Sequence, residues 1–144
     1  RAMAGEPMPL YGDGLQEREW LFVEDLVDAV RIVIPQLPAS PGVQAVHVGS
    51  GERVPNIQVA HRICSLTERP LDLVRPVKDR PGHDRRYALD ASRLRGLGWS
   101  PRVTFDDGLA RTVRWYAANA ETWSAVAGED FGGYFERQYG ERLR

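Results

Sequence analysis

The sequence is poor in the features that define several common classes of protein. Its only cysteine is Cys64, so an internal disulfide and a cysteine-rich metal site are excluded. Its three histidines lack the close spacing of a metal site. No run approaches the eighteen or so apolar residues of a membrane span, and no signal-peptide pattern is present. This composition predicts a cytoplasmic protein in a reducing compartment, without a bound metal ion.

The charge balance also excludes some partners. Nineteen basic and 20 acidic residues give a formal net charge of -1, which creates no global field that would draw the chain to nucleic acid or to a membrane surface. Hydrophobic content of 42% and charged content of 27% are ordinary for a soluble globular protein. We therefore expect no nucleic acid and no membrane among the partners, and any anion site must be a local arrangement of side chains.

The usual signatures of nucleotide binding are missing as well. No glycine-rich fingerprint follows a strand, and there is no P-loop. The turn at Gly12–Gly14 has only two glycines and lacks the helix that should follow it. The chain opens at Arg1 without an initiator methionine, as the C-terminal part of a longer protein would. We therefore expect this chain to be the C-terminal part of a longer protein.

The hydrophobic periodicity predicts a mixed α/β fold, with several helices covering a small mixed sheet. Extended segments are expected at residues 7–11, 18–22, 43–48 and 71–77. Helices are expected to begin at residues 23, 55, 92 and 105, with a last short helix at 134–139. On the first helix, the apolar stripe comprises Val23, Leu26, Val27, Val30 and Ile34.

The most informative segment, residues 79–87, holds three arginines and a histidine around a Pro-Gly break. The break prevents these cations from lining one face of a helix. Arginine presents a planar fork of donors that fits two phosphate oxygens at once, so Arg80 and its neighbours suit a ligand with a diphosphate. As a neutral imidazole, His83 would donate to a phosphate or a ribose hydroxyl. The alternative is a solvated charged turn.

Two other polar residues are candidates for the same ligand. Arg18 shares one face of an extended segment with Trp20 and can hold a phosphate, although a surface salt bridge is equally compatible with the pattern. Asn56 lies where a helix begins, so its amide can donate to a phosphate or sugar oxygen beside the free backbone N–H groups. The alternative for Asn56 is an ordinary N-cap, and both roles can coexist.

Catalytic chemistry has no basis in these residues. Tyr11 and Tyr134 lie in segments broken by glycine or proline, where each can contact a base or a sugar or simply pack. No Ser/His/Asp or Cys/His set can be assembled, and Asp106 and Asp107 are best read as charges at a helix N-terminus. We therefore predict no catalytic residue within the chain.

Taken together, several segments resemble the C-terminal portion of the dTDP-glucose 4,6-dehydratases, which are extended short-chain dehydrogenases/reductases. The segments that carry the resemblance are residues 9–14, 16–25, 79–90, 98–101, 112–116 and 133–134, and the similarity covers nearly the whole chain. Residues 80–87, with the sequence RPGHDRRY, are the most specific of them. The sequence also departs from the usual pattern, for example at Glu19, where aspartate is usual.

The resemblance implies an NAD-dependent lyase of deoxysugar biosynthesis, which converts dTDP-glucose to its 4-keto-6-deoxy product. The resemblance implies that residues 1–144 form the C-terminal, substrate-binding domain of such an enzyme. The NAD site, the Tyr-x-x-x-Lys pair and the acid/base carboxylates belong to the N-terminal dinucleotide-binding domain, which is absent from this chain. By position, Arg18, Asn56 and Arg80 match residues that hold the diphosphate, with His83 close by. Pro9 and Tyr11 match residues that line the thymidine pocket, and Tyr134 matches a tyrosine that reaches back to the nucleotide sugar.

The resemblance further implies that the full-length enzyme is a homodimer and that the isolated chain is inactive. Two alternatives stay open on the sequence. The first is another epimerase, decarboxylase or dehydratase that acts on a different nucleotide sugar. The second is a non-catalytic module that binds a nucleotide sugar.

Overall fold

The computed structural model describes residues 1–36, 45–127 and 131–140. The strands in these residues are β1 (Met8–Tyr11), β2 (Glu17–Glu19), β3 (Arg53–Pro55) and β4 (Val74–Val77). The helices are α1 (Val23–Val33), α2 (Asn56–Leu66), α3 (Ser92–Gly96), α4 (Phe105–Ala118), α5 (Ala120–Ala127) and α6 (Phe131–Tyr139). The fold is therefore mixed α/β with small sheets, as the periodicity predicts.

The chain divides into two compact units. The first unit comprises residues 1–16, 55–85 and 110–144, and the second comprises residues 17–54 and 86–109. Each unit is assembled from segments that are distant in sequence. Helix α4 begins in the second unit, and from Ala110 onward it belongs to the first.

Two parallel strands organise the first unit. β1 pairs with β4 in a register that sets Met8 opposite Val74 and Tyr11 opposite Val77. Parallel strands cannot be joined by a tight hairpin, and here α2 lies between them in the sequence. The carboxyl ends of both strands consequently meet at one edge, where the Gly12–Gly14 turn leaves β1 and the loop of residues 78–85 leaves β4. Ligands of open parallel sheets bind outside this kind of edge.

Buried apolar side chains lie on both strands of the first unit and on α2. Leu10 of β1 and Val77 of β4 are buried, as are Val59 and Cys64 of α2. Cys64 is fully buried, and this burial raises the pKa of its thiol. Helix α2 thus faces the core of this unit with Val59 and Cys64.

The second unit is built around Ala29 of α1, Leu94 of α3 and Trp99, with Leu21, Ile32, Val33, Val46 and Val48 packed against them. The buried carboxylate of Asp25 accepts the backbone N–H groups of Arg102 and Val103 at 3.2 and 3.0 Å. The Trp99 indole donates to the backbone carbonyl of Asp25 at 3.1 Å. One turn of α1 thereby fixes the chain that follows α3.

Helix α1 lies where the sequence predicts it, but its apolar stripe does not face the core. The five stripe residues are between 44% and 62% exposed: Val23, Leu26, Val27, Val30 and Ile34. The helix instead buries the face that carries Asp25 and Ala29. Hydrogen bonds of the Asp25 carboxylate and the small volume of Ala29 at the core decide this orientation, and neither is visible as hydrophobic periodicity.

Several predicted strands are shorter than expected. In place of the strand expected at residues 18–22, β2 covers only Glu17–Glu19. In the segment expected at residues 71–77, Leu71–Leu73 form a short 3-10 helix, and β4 follows at Val74–Val77. Residues 43 and 44 lie outside the described residues, and residues 45–48 form no strand there. A β-strand needs a neighbour for its backbone groups, and the described residues provide none for this segment.

Helix α4 begins at Phe105, as predicted. Thr104 caps α4, since its hydroxyl accepts the N–H of Asp107 at 3.3 Å. Gly98 ends the α3 region at φ +88°, a conformation that favours glycine. Trp115 and Tyr116 are 50% and 45% exposed, respectively, so they are not core residues of the first unit. None of the helices in the described ranges is long and apolar enough to span a membrane.

Candidate functional site

The candidate site lies at the carboxyl edge of β1 and β4, where the glycine turn and the arginine loop are fastened together. The N–H of Gly12 donates to the carbonyl of Val77 at 2.9 Å. Gln16 donates through its side-chain amide to Asp79 at 3.0 Å. Arg85 binds both carboxylate oxygens of Asp13, at 2.9 and 3.0 Å. The loop is therefore tied to the turn near its beginning and again at its end.

Asp79 is the centre of the loop. Its Oδ1 accepts the N–H of Arg80 at 2.9 Å and contacts His83 Nδ1 at 2.7 Å, while its Oδ2 accepts from Gln16. The hydrogen bond from His83, followed by that from the Arg80 N–H, holds the pKa of the Asp79 carboxyl below its usual range. Asp79 is consequently an anion at neutral pH. The Nδ1 atom of His83 therefore contacts a carboxylate of the protein and not a phosphate of the ligand.

The arginines of the loop are not equivalent. The Arg85 guanidinium is neutralised by Asp13, whose own pKa is lowered by the N–H of Leu15 and by Arg85. Arg80 is exposed, and within residues 1–36, 45–127 and 131–140 its guanidinium has no ion-pair or hydrogen-bond partner. A planar cation without an internal counterion is available to an external anion. Arg80 is therefore the better phosphate ligand of the two.

Aromatic side chains meet beside the loop. The Tyr11 ring packs edge-to-face on His83, with centroids 6.0 Å apart. The Tyr11 hydroxyl lies 3.3 Å from the hydroxyl of Tyr139. Tyr134 is half exposed, and Pro9 is half-buried within β1. Tyr139, which the sequence reasoning did not single out, is thus the α6 residue that meets Tyr11.

Asn56 is the first residue of α2, and the N-cap is Pro55. The alternative reading of Asn56 as an N-cap is therefore wrong, because Pro55 occupies that position and Asn56 is already helical. Its backbone N–H donates to the carbonyl of Gln16 at 3.0 Å, and that of Ile57 donates to Gly14 at 2.9 Å. Two of the backbone donors expected to be free are thus occupied by the turn. The side-chain amide of Asn56 is what this helix terminus can offer a ligand.

Arg18 belongs to the second unit. Its guanidinium carbon lies 4.1 Å from the centroid of the Tyr87 ring, and its Nη1 donates to the carbonyl of Glu17 at 2.7 Å.

The carboxylate of Glu19 accepts the N–H groups of Leu89 at 3.2 Å and Gly51 at 3.3 Å. The longer side chain of glutamate at position 19 therefore has a structural use within this unit.

The described residues do not fit a dinucleotide cofactor. A cradle for NAD needs a glycine turn that leads from a strand directly into a helix, so that backbone donors meet the pyrophosphate. Here the Gly12–Gly14 turn leads into β2, and the start of α2 is occupied by that same turn. No step of a reaction through NAD can be assigned to these residues.

Known proteins are similar to this chain in sequence. The family model described as GDP-mannose 4,6 dehydratase matches residues 1–112. A dTDP-glucose 4,6-dehydratase of Xanthomonas campestris is 46% identical over 133 residues, which cover 85% of this chain and 37% of the relative. One from Neisseria meningitidis is 42% identical over 137 residues, with 87% of this chain and 38% of the relative covered.

Solved structures give the same result. The dTDP-glucose 4,6-dehydratase of Bacillus anthracis in complex with NAD matches with a TM-score of 0.74 at 36% identity, over 86% of this chain and 39% of that one. DesIV from Streptomyces venezuelae, with NAD and TYD bound, matches with a TM-score of 0.71 at 39% identity, over 81% and 36% of the two chains. The chain spans less than two fifths of the length of these relatives. It belongs to the GDP-mannose 4,6 dehydratase family, and its resemblance to the dTDP-glucose 4,6-dehydratases is confirmed.

Proposed function

We propose that this chain is the nucleotide-sugar-binding part of an NAD-dependent dTDP-glucose 4,6-dehydratase, and that it provides the diphosphate and thymidine contacts. The observation that carries this proposal is the state of the arginine loop. Arg85 is neutralised by Asp13, whereas the guanidinium of Arg80 has no partner among the described residues. Arg80 lies in the same unit as His83 and the Asn56 amide. A loop that leaves the Arg80 guanidinium uncompensated at the carboxyl edge of parallel strands suits a diphosphate.

Pro9 and Tyr11 are proposed for the thymidine end of the ligand. Tyr11 is half-buried and its ring is fixed by His83 and Tyr139, so it offers a rigid edge for a base. Arg18 is proposed as a second phosphate ligand and Tyr134 as a sugar contact, both on the family resemblance. The substitutions Arg18→Ala and Tyr134→Phe, made singly, test these two assignments separately.

A binding experiment tests the proposal. Titration calorimetry of the 144-residue chain with dTDP, UDP and GDP is expected to show a preference for dTDP. Arg80→Ala should weaken dTDP binding by at least ~1.5 kcal/mol, because a charged hydrogen bond is lost. Arg75→Ala is the matched control, because Arg75 is an exposed arginine of β4 in the same unit. Equal affinities for Arg80→Ala and Arg75→Ala would remove Arg80 from the site.

The chemistry itself is proposed to depend on residues outside this chain. The only lysine is Lys78, and Val74 lies four positions before it, so the chain contains no Tyr-x-x-x-Lys pair. The isolated chain should therefore show no dehydratase activity with added NAD and dTDP-glucose. Formation of the 4-keto product by pure chain, detected by its absorbance in alkali, would contradict this. A homodimer is proposed for the full-length enzyme, and analytical ultracentrifugation of that protein tests it.

A further inference from the structure

Asp79 contributes no atom to the proposed set of ligand contacts, yet it bonds to both loop residues in that set. Its Oδ1 accepts the backbone N–H of Arg80, which fixes the chain direction at the cation. The same oxygen lies 2.7 Å from Nδ1 of His83, whose side chain is only 6% exposed. One carboxylate therefore sets the position of the two loop residues that are proposed to meet the ligand.

The charge of Asp79 determines which nitrogen of His83 carries the hydrogen. An ionised carboxylate has no hydrogen to donate, so the hydrogen in the Asp79–His83 bond must lie on Nδ1. Nε2 of a neutral His83 is then an acceptor only. This changes the expectation that a neutral imidazole donates to the ligand. In this tautomer His83 accepts a hydrogen bond from a ligand hydroxyl, and it can donate to a phosphate only after taking a second proton.

Gln16 supports the carboxylate from the opposite side. Gln16 is 3% exposed, and within the described residues its Oε1 has no hydrogen-bond partner. Rotating the amide would bring Oε1 against the Asp79 carboxylate, so the present orientation is the only favourable one. A buried acceptor without a partner is destabilising, because it has lost its hydrogen bonds to water. Gln16 therefore uses only the NH2 group of its amide, which donates to Asp79. This unfavourable burial is explained if that hydrogen bond has a function at the site.

We propose that Asp79 is a positioning residue of this site, which fixes His83 as the Nδ1–H tautomer and orders Arg80, and that Gln16 orients Asp79. The proposal deepens the proposed function, because its importance for binding rests on Arg80 and His83 meeting a nucleotide sugar. The tautomer of His83, however, can be measured without any ligand. The two claims can therefore fail independently.

The test is a long-range 1H–15N spectrum of the 15N-labelled 144-residue chain at pH about 8.5, where imidazoles are neutral. In the wild-type chain His83 should show the pattern of the Nδ1–H tautomer. In Asp79→Ala it should move to the Nε2–H tautomer that free imidazoles prefer. Asp72→Ala, which removes an exposed carboxylate in the same unit, should leave His83 unchanged. His47 and His61 serve as internal references in every spectrum.

An Nε2–H pattern for His83 in the wild-type chain would overturn the proposal, and this result does not depend on the stability of any variant. An unchanged tautomer in Asp79→Ala would overturn it as well. In calorimetry, Asp79→Ala should bind dTDP about tenfold more weakly, whereas Asp72→Ala should bind normally. A changed tautomer with unchanged affinity would refute the role of Asp79 in binding. Absence of dTDP binding by the wild-type chain would instead refute the proposed function.

Discussion

Gly12 is the position at which the contact between the turn and the loop can be tested most sharply. Its φ is +59°, and a Cβ atom placed there would lie 2.8 Å from Oδ2 and 3.1 Å from Cγ of Asp79. The carboxylate is held in place by Gln16, Arg80 and His83, so it cannot retreat without losing a hydrogen bond. Gly12→Ala should therefore disturb the loop as well as strain the backbone.

The magnitude follows from two contributions. An alanine in the left-handed region costs roughly 1–2 kcal/mol. Displacement of the Asp79 carboxylate leaves the buried amide donor of Gln16 without its partner, which costs about 1–3 kcal/mol more. Gly5→Ala is the matched control, because Gly5 has a φ of +71° and a Cβ there would meet nothing within 4 Å. We expect Gly12→Ala to lower the free energy of unfolding by about 2 kcal/mol more than Gly5→Ala does.

Urea unfolding of the two variants and of the wild-type chain, followed by far-UV circular dichroism, provides the comparison. The slope of the unfolding free energy against urea should stay constant, so that a shift in midpoint reports stability. Equal destabilisation by the two substitutions would refute the close approach of Gly12 to Asp79, and with it the fastening of the turn to the loop.

Two further predictions concern carboxylates. Asp25→Ala should destabilise the second unit by about 3 kcal/mol, because two backbone N–H groups lose a charged acceptor. Asp28→Ala, which breaks a more exposed pair with Arg102, should cost about 1 kcal/mol or less. Similar urea midpoints for the two variants would contradict this prediction. Because the folded-state pKa values of Asp13 and Asp79 lie below the ordinary value of 3.8, their stabilisation is complete above that pH and is lost as the pH falls below it. Thermal unfolding measured from about pH 5 to pH 2.5 should show this loss of stability, and the loss should be smaller in Asp13→Asn and Asp79→Asn. If neither substitution changes the slope of stability against pH, these two carboxylates are not its source.

The elements that the sequence predicts well depend on short-range physics. Thr104 can be recognised as a cap and Gly98 as a helix end because each acts within a few residues of its own position. The arginine loop is recognisable for the same reason, since a Pro-Gly break and clustered cations are local features. The family resemblance adds the substrate class, which the residues alone limit only to an anion of the diphosphate type.

What the sequence does not reveal depends on pairs that are distant along the chain. The bond between Gln16 and Asp79 joins positions 63 apart, and that between Tyr11 and Tyr139 joins positions 128 apart. No periodicity encodes either pair, so Tyr139 and Gln16 carry no signal that would single them out. The orientation of α1 is missed for a related reason, because the buried polar contacts of Asp25 outweigh an apolar stripe that periodicity assigns to the core.

Because Cys64 is completely buried, the rate at which its thiol is modified can report the opening of the first unit. A thiol that is fully buried, with its pKa raised by that burial, reacts with a disulfide reagent only when α2 opens, and a single cysteine in the chain gives a single reaction. The rate of modification thus measures how often this unit opens. Because Asn56 begins the same helix, a nucleotide that binds there should slow the reaction in proportion to its occupancy. Ligand specificity can then be followed by chemical modification, with no turnover required.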